Sequence, residues 1–328
     1  MRVSNVEDSG MNADTVESTS SDSYQFGMVT LNAPVDELKM DIASYTDPAG
    51  RDSNEDAILA TELTGIRSGH LLAVADGMGG YEHGEVASRL AIDVLQSALA
   101  ESSSQDVAVA LKQAYRQANQ QIFEFGAKEG NAQPLGTTLV SAVVVGHYAT
   151  IANIGDSRAY LFRANQLTQI TQDHSVVGEQ VAKGEITEDQ ARTSRQRNLL
   201  TASLGLSEIL DRRLPSIYEI ALLPEDSLLL CSDGFYDVLE TQDYLGLLGD
   251  RSQGDVARQL TDLAKTRGTT DNVSAVVLRV SPSVAAVQRV QLHTELAEAR
   301  PKTSALWLPI AAIILLIAII AVGAWFYL

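Results

Sequence analysis

The chain has 328 residues, 45% of them apolar and 20% charged, and a formal net charge of −18. That length and composition support one large domain or two ordinary ones around a sizeable core, and exclude wholesale disorder. The negative charge repels nucleic acid and anionic lipid surfaces, so neither is an expected ligand.

Residues 1–37 hold seven acidic side chains against one basic, many Ser and Thr, and no helical or strand period. By composition they read as an acidic disordered leader. A first strand runs from near Leu38 to near Thr46, followed by the turn Asp47-Pro48-Ala49-Gly50. The apolar strand Leu71–Ala75 then runs into Asp76-Gly77-Met78-Gly79-Gly80. One helix is predicted from near Gly84, carrying Val86, Leu90, Ile92, Val94, Leu95 and Leu99. A second begins after Ser104 and ends near Gly126, with Val107, Leu111, Tyr115, Ala118, Ile122 and Phe125 at three- and four-residue spacing.

Strands are predicted at Thr138–Val145, Tyr148–Ile154, Ala159–Phe162 and near Leu167. Residues 176–198 are polar and read as a mobile insertion with helical character. Further strands fall at Ile217–Leu222, Ser227–Cys231 and Val273–Val280, with helices near Thr241–Leu248 and Val256–Thr266. Grouped strands and grouped helices argue an α+β or layered architecture, not a regular doubly wound sheet.

Residues 282–304 read as a linker. From Ala305 to Leu328 no side chain is charged. As a helix this span is roughly 36 Å long, enough to cross a hydrocarbon core about 30 Å thick. Trp307 at one end and Trp325, Phe326 and Tyr327 at the other match interfacial aromatic belts. Arg300 and Lys302 precede the span, and no secretion signal opens the chain, so the expectation is a single transmembrane helix acting as a tail anchor in the inner membrane, with residues 38–281 in the cytoplasm.

Three acids sit at strand edges: Asp76 after Leu71–Ala75, Asp233 after Leu228–Ser232, and Asp271 before Val273–Leu278. An acid at the end of a buried strand is costly unless its charge is compensated, and one shared divalent metal would compensate all three. The single cysteine, Cys231, lies in an apolar strand, and the five histidines are scattered, so any metal site rests on oxygen ligands and favours magnesium or manganese. Gly77 lets the main chain approach an ion closely. Glu55 and Asp56 add two acids, and Arg51 could hold a phosphate bidentately.

The ordered set resembles the metal-dependent serine/threonine protein phosphatases of the type 2C class, particularly their bacterial members. The resemblance is carried by Arg51-Asp52-Ser53-Asn54-Glu55-Asp56, Val74-Ala75-Asp76-Gly77-Met78-Gly79-Gly80, Gly84-Glu85-Val86-Ala87-Ser88 and Gly136-Thr137-Thr138. It continues through Asn153-Ile154-Gly155-Asp156-Ser157-Arg158-Ala159-Tyr160, Thr171-Gln172-Asp173-His174-Ser175 and Leu204-Gly205. It closes with Cys231-Ser232-Asp233-Gly234-Phe235-Tyr236-Asp237 and Asp271-Asn272-Val273-Ser274.

The resemblance implies a layered α-β-β-α sandwich, two central antiparallel sheets flanked by helices, with the metals at one edge. It implies that Asp76 bridges two Mn or Mg ions, that the Gly77 carbonyl binds one, and that Asp233 and Asp271 bind the other. Asp56 would bind directly or through water, and Glu55 would stand in the outer shell. A third, weaker ion would use Asp156 and Asp233, with Asp237 assisting. Residues 176–198 match the family's flap beside the active site. The implied reaction is hydrolysis of phosphoserine and phosphothreonine in proteins by water activated between two metals, with Arg51 orienting the phosphate. Met78 stands where eukaryotic members often carry a His that acts as general acid, and a thioether has no proton to give. Tyr81 and His83 read as packing or rim residues and His174 as a structural hydrogen-bonding residue.

Two alternatives share the fold. A catalytically degenerate module that binds phosphoproteins or regulates a membrane partner would typically lack one of the metal carboxylates. A phosphatase of anti-sigma antagonist proteins would lack the flap and Arg51. The expected partners are phosphoprotein substrates, a serine/threonine kinase counterpart, and the bilayer through residues 305–328.

Overall fold

The computed structural model describes residues 38–63, 69–79, 83–128, 135–250 and 255–282, together with two short strands nearer the N-terminus. Those strands, β1 (Tyr24–Phe26) and β2 (Val29–Leu31), pair antiparallel. They fall in a stretch expected to have no strand period. Three-residue strands are too short to show one, although Tyr, Phe and Val favour strands and Gly27 supplies a hairpin signal between them. The rest of 1–37 and all of 283–328, including the expected membrane span, lie outside the described residues. Among the described residues no helix is long and apolar enough to cross a membrane.

Two larger antiparallel sheets carry the rest of the described chain. The first has the order β11 (Ser216–Ala221), β8 (Tyr148–Ile154), β7 (Leu139–Val145), β5 (Gly69–Met78), β4 (Asp56–Leu63), with β6 (Gly136–Thr137) pairing the end of β5. The second has the order β10 (Gln166–Gln169), β9 (Arg158–Arg163), β12 (Ser227–Cys231), β13 (Val273–Pro282), β3 (Leu38–Asp47).

Three apolar layers hold these sheets. In β5, Leu71, Ala73 and Ala75 face one layer with α1 (His83–Glu101) and α2 (Val107–Lys128). Leu72 and Val74 face the opposite layer, where β7, β8, β9, β12 and β13 of the two sheets meet. The outer face of the second sheet, with Leu229, Cys231, Ala275 and Val277, packs on α6 (Thr241–Gly249) and α7 (Val256–Thr266). Strands covered on both faces are apolar throughout, which is why Leu71 to Ala75 show no polar alternation. The α-β-β-α order expected of the sandwich is thus built.

The 176–198 stretch folds into α3 (Val176–Ala182) and α4 (Glu188–Thr193). Ser175 caps the first by accepting from the Gly178 amide, and Thr187 and Gln190 form a capping box on the second.

Candidate active site

The acids meet because strands from both sheets end on the same edge. Asp56 opens β4 and stands directly opposite Asp76 in the β4–β5 register. Asp233 opens a single helical turn, α5 (Asp233–Tyr236), immediately after β12. Asp271 lies two residues before β13, and Asp156 lies in the loop that leaves β8 in one sheet for β9 in the other.

Hydrogen bonds fix this edge from behind. The Ser232 hydroxyl donates to Asp56 Oδ2 at 2.8 Å and accepts from the Ser274 amide at 3.0 Å, joining the two sheets under the acids. Asn272 is the corner of the same frame. Its Oδ1 accepts from the Glu55 amide at 2.8 Å, and its Nδ2 donates to the Ser53 and Pro48 carbonyls at 2.9 and 3.1 Å. Thr138 accepts from the Asp76 amide at 3.0 Å, and its hydroxyl lies 2.7 Å from that of Ser157. Gly77 is fixed sterically: a Cβ there would fall 2.0 Å from the Gly84 carbonyl oxygen at the start of α1.

The electrostatics are those of crowded anions. Asp56 and Asp156 are buried, and withdrawal from water pushes their carboxyls up to about 6 and about 7. Burial also raises Asp76 well above the usual range, and Asp56, Asp233, Asp156 and Asp271 add repulsion. Asp233 is raised by burial and then by Asp156, Asp271 and Asp237. Every one of these acids therefore feels several others. Asp237 stands at the rim, its Oδ2 3.6 Å from Arg197 behind α4, and burial raises it too. Glu55 is half-buried and raised by burial, its carboxylate against Gly84 in the first turn of α1.

Two buried oxygens, Asp56 Oδ1 and Asp233 Oδ1, have no hydrogen-bond partner. Unpartnered buried carboxylate oxygens are costly and call for a cation. The donors are all oxygen and suit a hard divalent ion. Among the described residues no three acidic, His or Cys side chains already close on one point. Asp56 is turned to Ser232, and Asp271 to Arg51 Nη2 at 2.8 Å. Mutually repelling carboxylates spread in this way, and a cation draws them together.

Arg51 therefore lies beside Asp271 at the acid edge, with its side chain 55% exposed. Met78 ends β5 and His83 begins α1, both half-buried; Tyr81 lies outside the described residues. Both ring nitrogens of His174 face polar partners in the protein. Its Nδ1 accepts from the Gly155 amide at 3.1 Å, so the proton sits on Nε2, 3.0 Å from the Ser216 hydroxyl. Burial holds this imidazole neutral by lowering its pKa.

The residues missed by reasoning on the acids alone are Ser232, Asn272 and Thr138, which hold those acids in place. Two of them carried a signal, since Ser232 directly precedes Asp233 and Asn272 directly follows Asp271.

Residues 50–275 match the protein phosphatase 2C family. The serine/threonine phosphatase stp of Listeria welshimeri is 33% identical over 213 residues, which cover 63% of this chain and 83% of that one. The serine/threonine protein phosphatase PstP of Mycobacterium tuberculosis is 36% identical over 70% of this chain but only 43% of its own length. The solved catalytic domain of a serine/threonine protein phosphatase PstP, in complex with two manganese ions, superposes with a TM-score of 0.65 at 33% identity, covering 74% of this chain and 99% of that one. The matched span, the two-sheet sandwich and the acid edge agree, and the chain belongs to the protein phosphatase 2C family of serine/threonine phosphatases.

Proposed function

We propose that the acid edge hydrolyses phosphoserine and phosphothreonine in proteins, and that Asp76, the Gly77 carbonyl, Asp233 and Asp271 would hold two Mn or Mg ions there. Asp56 binds directly or through water, and Glu55 supports the site from outside. A third, weaker ion is assigned to Asp156 and Asp233, with Asp237 beside them. The observation that carries this reading is the pair of unpartnered buried oxygens, Asp56 Oδ1 and Asp233 Oδ1, inside a ring of like charges. Bound there, the two ions supply a water acidic enough to ionise near neutral pH and charge to offset the phosphate.

The protein's own residues do the rest. Ser232 and Asn272 hold strand ends from both sheets, so loading turns carboxylate side chains on a backbone already in place. Arg51 exchanges its exposed bond to Asp271 for a bidentate grip on the phosphate, aligning it for in-line attack. Since Met78 cannot protonate the departing serine oxygen, solvent at the open edge supplies that proton.

The catalytic domain is held at the cytoplasmic face of the inner membrane by residues 305–328. The uncharged span, its aromatic ends and Arg300 and Lys302 before it support that reading. Such a tether raises the local concentration of the enzyme around a membrane-associated serine/threonine kinase and its products.

The full chain should hydrolyse a phosphothreonine peptide with Mn2+ and stop when the metal is chelated. Hydrolysis that survives chelation would refute the cation reading. Deleting residues 305–328 should move the protein to the soluble fraction with its rate on p-nitrophenyl phosphate retained. A truncated protein still in the membrane fraction would refute the anchor.

A further inference from the structure

One buried ion pair beside the acid edge has no part in the chemistry above. Arg158 opens β9, two residues after Asp156. Its Nε donates to both Asp173 oxygens at 3.0 Å, and its Nη2 donates to Asp173 Oδ2 at 2.7 Å. Nη1 donates to the Tyr160 hydroxyl at 2.9 Å. The side chains of Arg158 and Asp173 are only 20% and 8% exposed. The guanidinium lies 3.5 Å from the centre of the Tyr236 ring, and the Tyr236 hydroxyl donates to the Asp156 carbonyl at 3.1 Å.

Tyr236 belongs to α5, the turn that begins with Asp233. One side chain therefore links the turn bearing one acid to the loop bearing another. Asp156 is also steadied from its other side. Gly155 adopts a positive φ of 96°, donates to His174 Nδ1, and accepts from the His174 amide at 2.9 Å. A Cβ at Gly155 would lie 2.6 Å from Thr138 Cβ, so the loop has no room to move that way.

We propose that Arg158 and Tyr236 are positioning residues that fix Asp156 against Asp233 and so set the affinity of the outermost, weakest cation, a proposal that rests on the cation reading given above. The cation–π contact holds the Tyr236 ring, the ring aims its hydroxyl, and the hydroxyl holds the Asp156 backbone. Asp173 has a second duty. A bare guanidinium so near a cation site would repel the ion with little screening, and Asp173 cancels that charge while holding the fork in plane. A buried ion pair is weak evidence for stability, since apolar residues commonly replace one without loss. Its geometry and charge balance are what the neighbouring site needs.

The test is Mn2+ binding to the full-length protein, by calorimetry with free Mn2+ counted by electron paramagnetic resonance. Wild type should show two tighter ions and one weaker. Tyr236→Phe keeps the ring and removes the hydroxyl, and should weaken the last ion about five-fold while leaving the first two unchanged. Asp173→Asn should weaken it about ten-fold by exposing the Arg158 charge. The proposal is overturned if both single variants bind the last ion within about two-fold of wild type, if all three ions weaken together, or if wild type binds only two. Should Asp173→Asn fail to fold, Tyr236→Phe alone decides. A wild-type chain that binds no Mn2+ overturns the cation reading itself, an outcome distinct from these.

Discussion

Strand β12 has an aspartate just beyond each end, and the two are treated in opposite ways. Asp226 precedes it, and its side chain is 1% exposed. Arg163 donates to it through Nε at 2.9 Å and Nη2 at 2.6 Å, and the Leu223 amide adds a bond at 2.7 Å. Asp233 follows the same strand and has a buried oxygen with no partner and four acids for neighbours. The fold therefore has the means to neutralise a strand-end acid from within the chain, and uses it at one end. At the other the described residues offer no such partner, which is where the proposed cation would sit. That contrast separates a structural acid from a functional one more sharply than sequence context does.

The strongest way to break the comparison is to remove the charge at each end in turn. Asp233→Asn should lower Mn2+-dependent hydrolysis of a phosphopeptide at least about 100-fold, since on the proposed reading it removes a direct ligand, and that exceeds the usual effect of losing a group that only orients one. The same variant should melt no lower than wild type without metal, because it removes repulsion. Asp226→Asn should do the reverse. It should cost about 2 kcal/mol in urea unfolding, less than for a fully buried pair because the Arg163 side chain is 36% exposed, while activity per folded molecule persists. If both variants lose activity equally while folded, the distinction fails.

Arg51 sharpens the comparison with an intermediate case. It pairs with Asp271 across an exposed contact, so the pair itself adds little stability. Arg51→Ala should leave urea unfolding within about 0.5 kcal/mol of wild type. It should reduce kcat/KM about ten-fold on phosphopeptides, read by initial rates, because the role proposed for the side chain is to hold phosphate. A stability loss without a rate loss would make the contact with Asp271 its purpose.

The legibility of the sequence follows the same physics. Strands buried on both faces, such as Leu71–Ala75 and Leu228–Cys231, declare themselves as apolar runs, and the acids that interrupt them stand out. β4 does not. Asp56–Leu63 is an edge strand with a blurred burial pattern, and its residues form a strand because β5 offers a partner. α5 is one turn long, too short for any helical period, yet it places both Asp233 and Tyr236. The acids were legible as types at strand ends. Their shared edge was implied by the resemblance, while the means of holding it there, two sheets ending together with Ser232 bridging between them, belongs to tertiary pairing that no local pattern shows.

The smallest expected effect concerns the free energy stored in that crowding, and pH reads it. Asp156 in the folded chain titrates at about 7, against an ordinary value of 3.8. A group shifted upward in this way takes up a proton on folding, so its contribution is favourable below the folded value and is lost as pH rises through it. The metal-free protein should therefore gain about 1 kcal/mol of stability on going from about pH 8 to about pH 6.5, with Asp56 adding more below that as it approaches about 6. His174 opposes the trend toward the acid end of this window. Its folded pKa lies below 6.5, so its stabilising neutral form is lost to the unfolded state's protonation once pH falls beneath that value. At about pH 6.5 the unfolded imidazole is half protonated and offsets at most about 0.4 kcal/mol of the gain, so the upper part of the window, above about pH 7.5, reads the acids alone. Saturating Mn2+ should flatten or invert the trend, because bound ions require the ionised carboxylates. Urea unfolding at the two pH values, with and without Mn2+, makes the measurement. A metal-free protein that is more stable at about pH 8 would mean that the acid edge is already compensated from within, as Asp226 is.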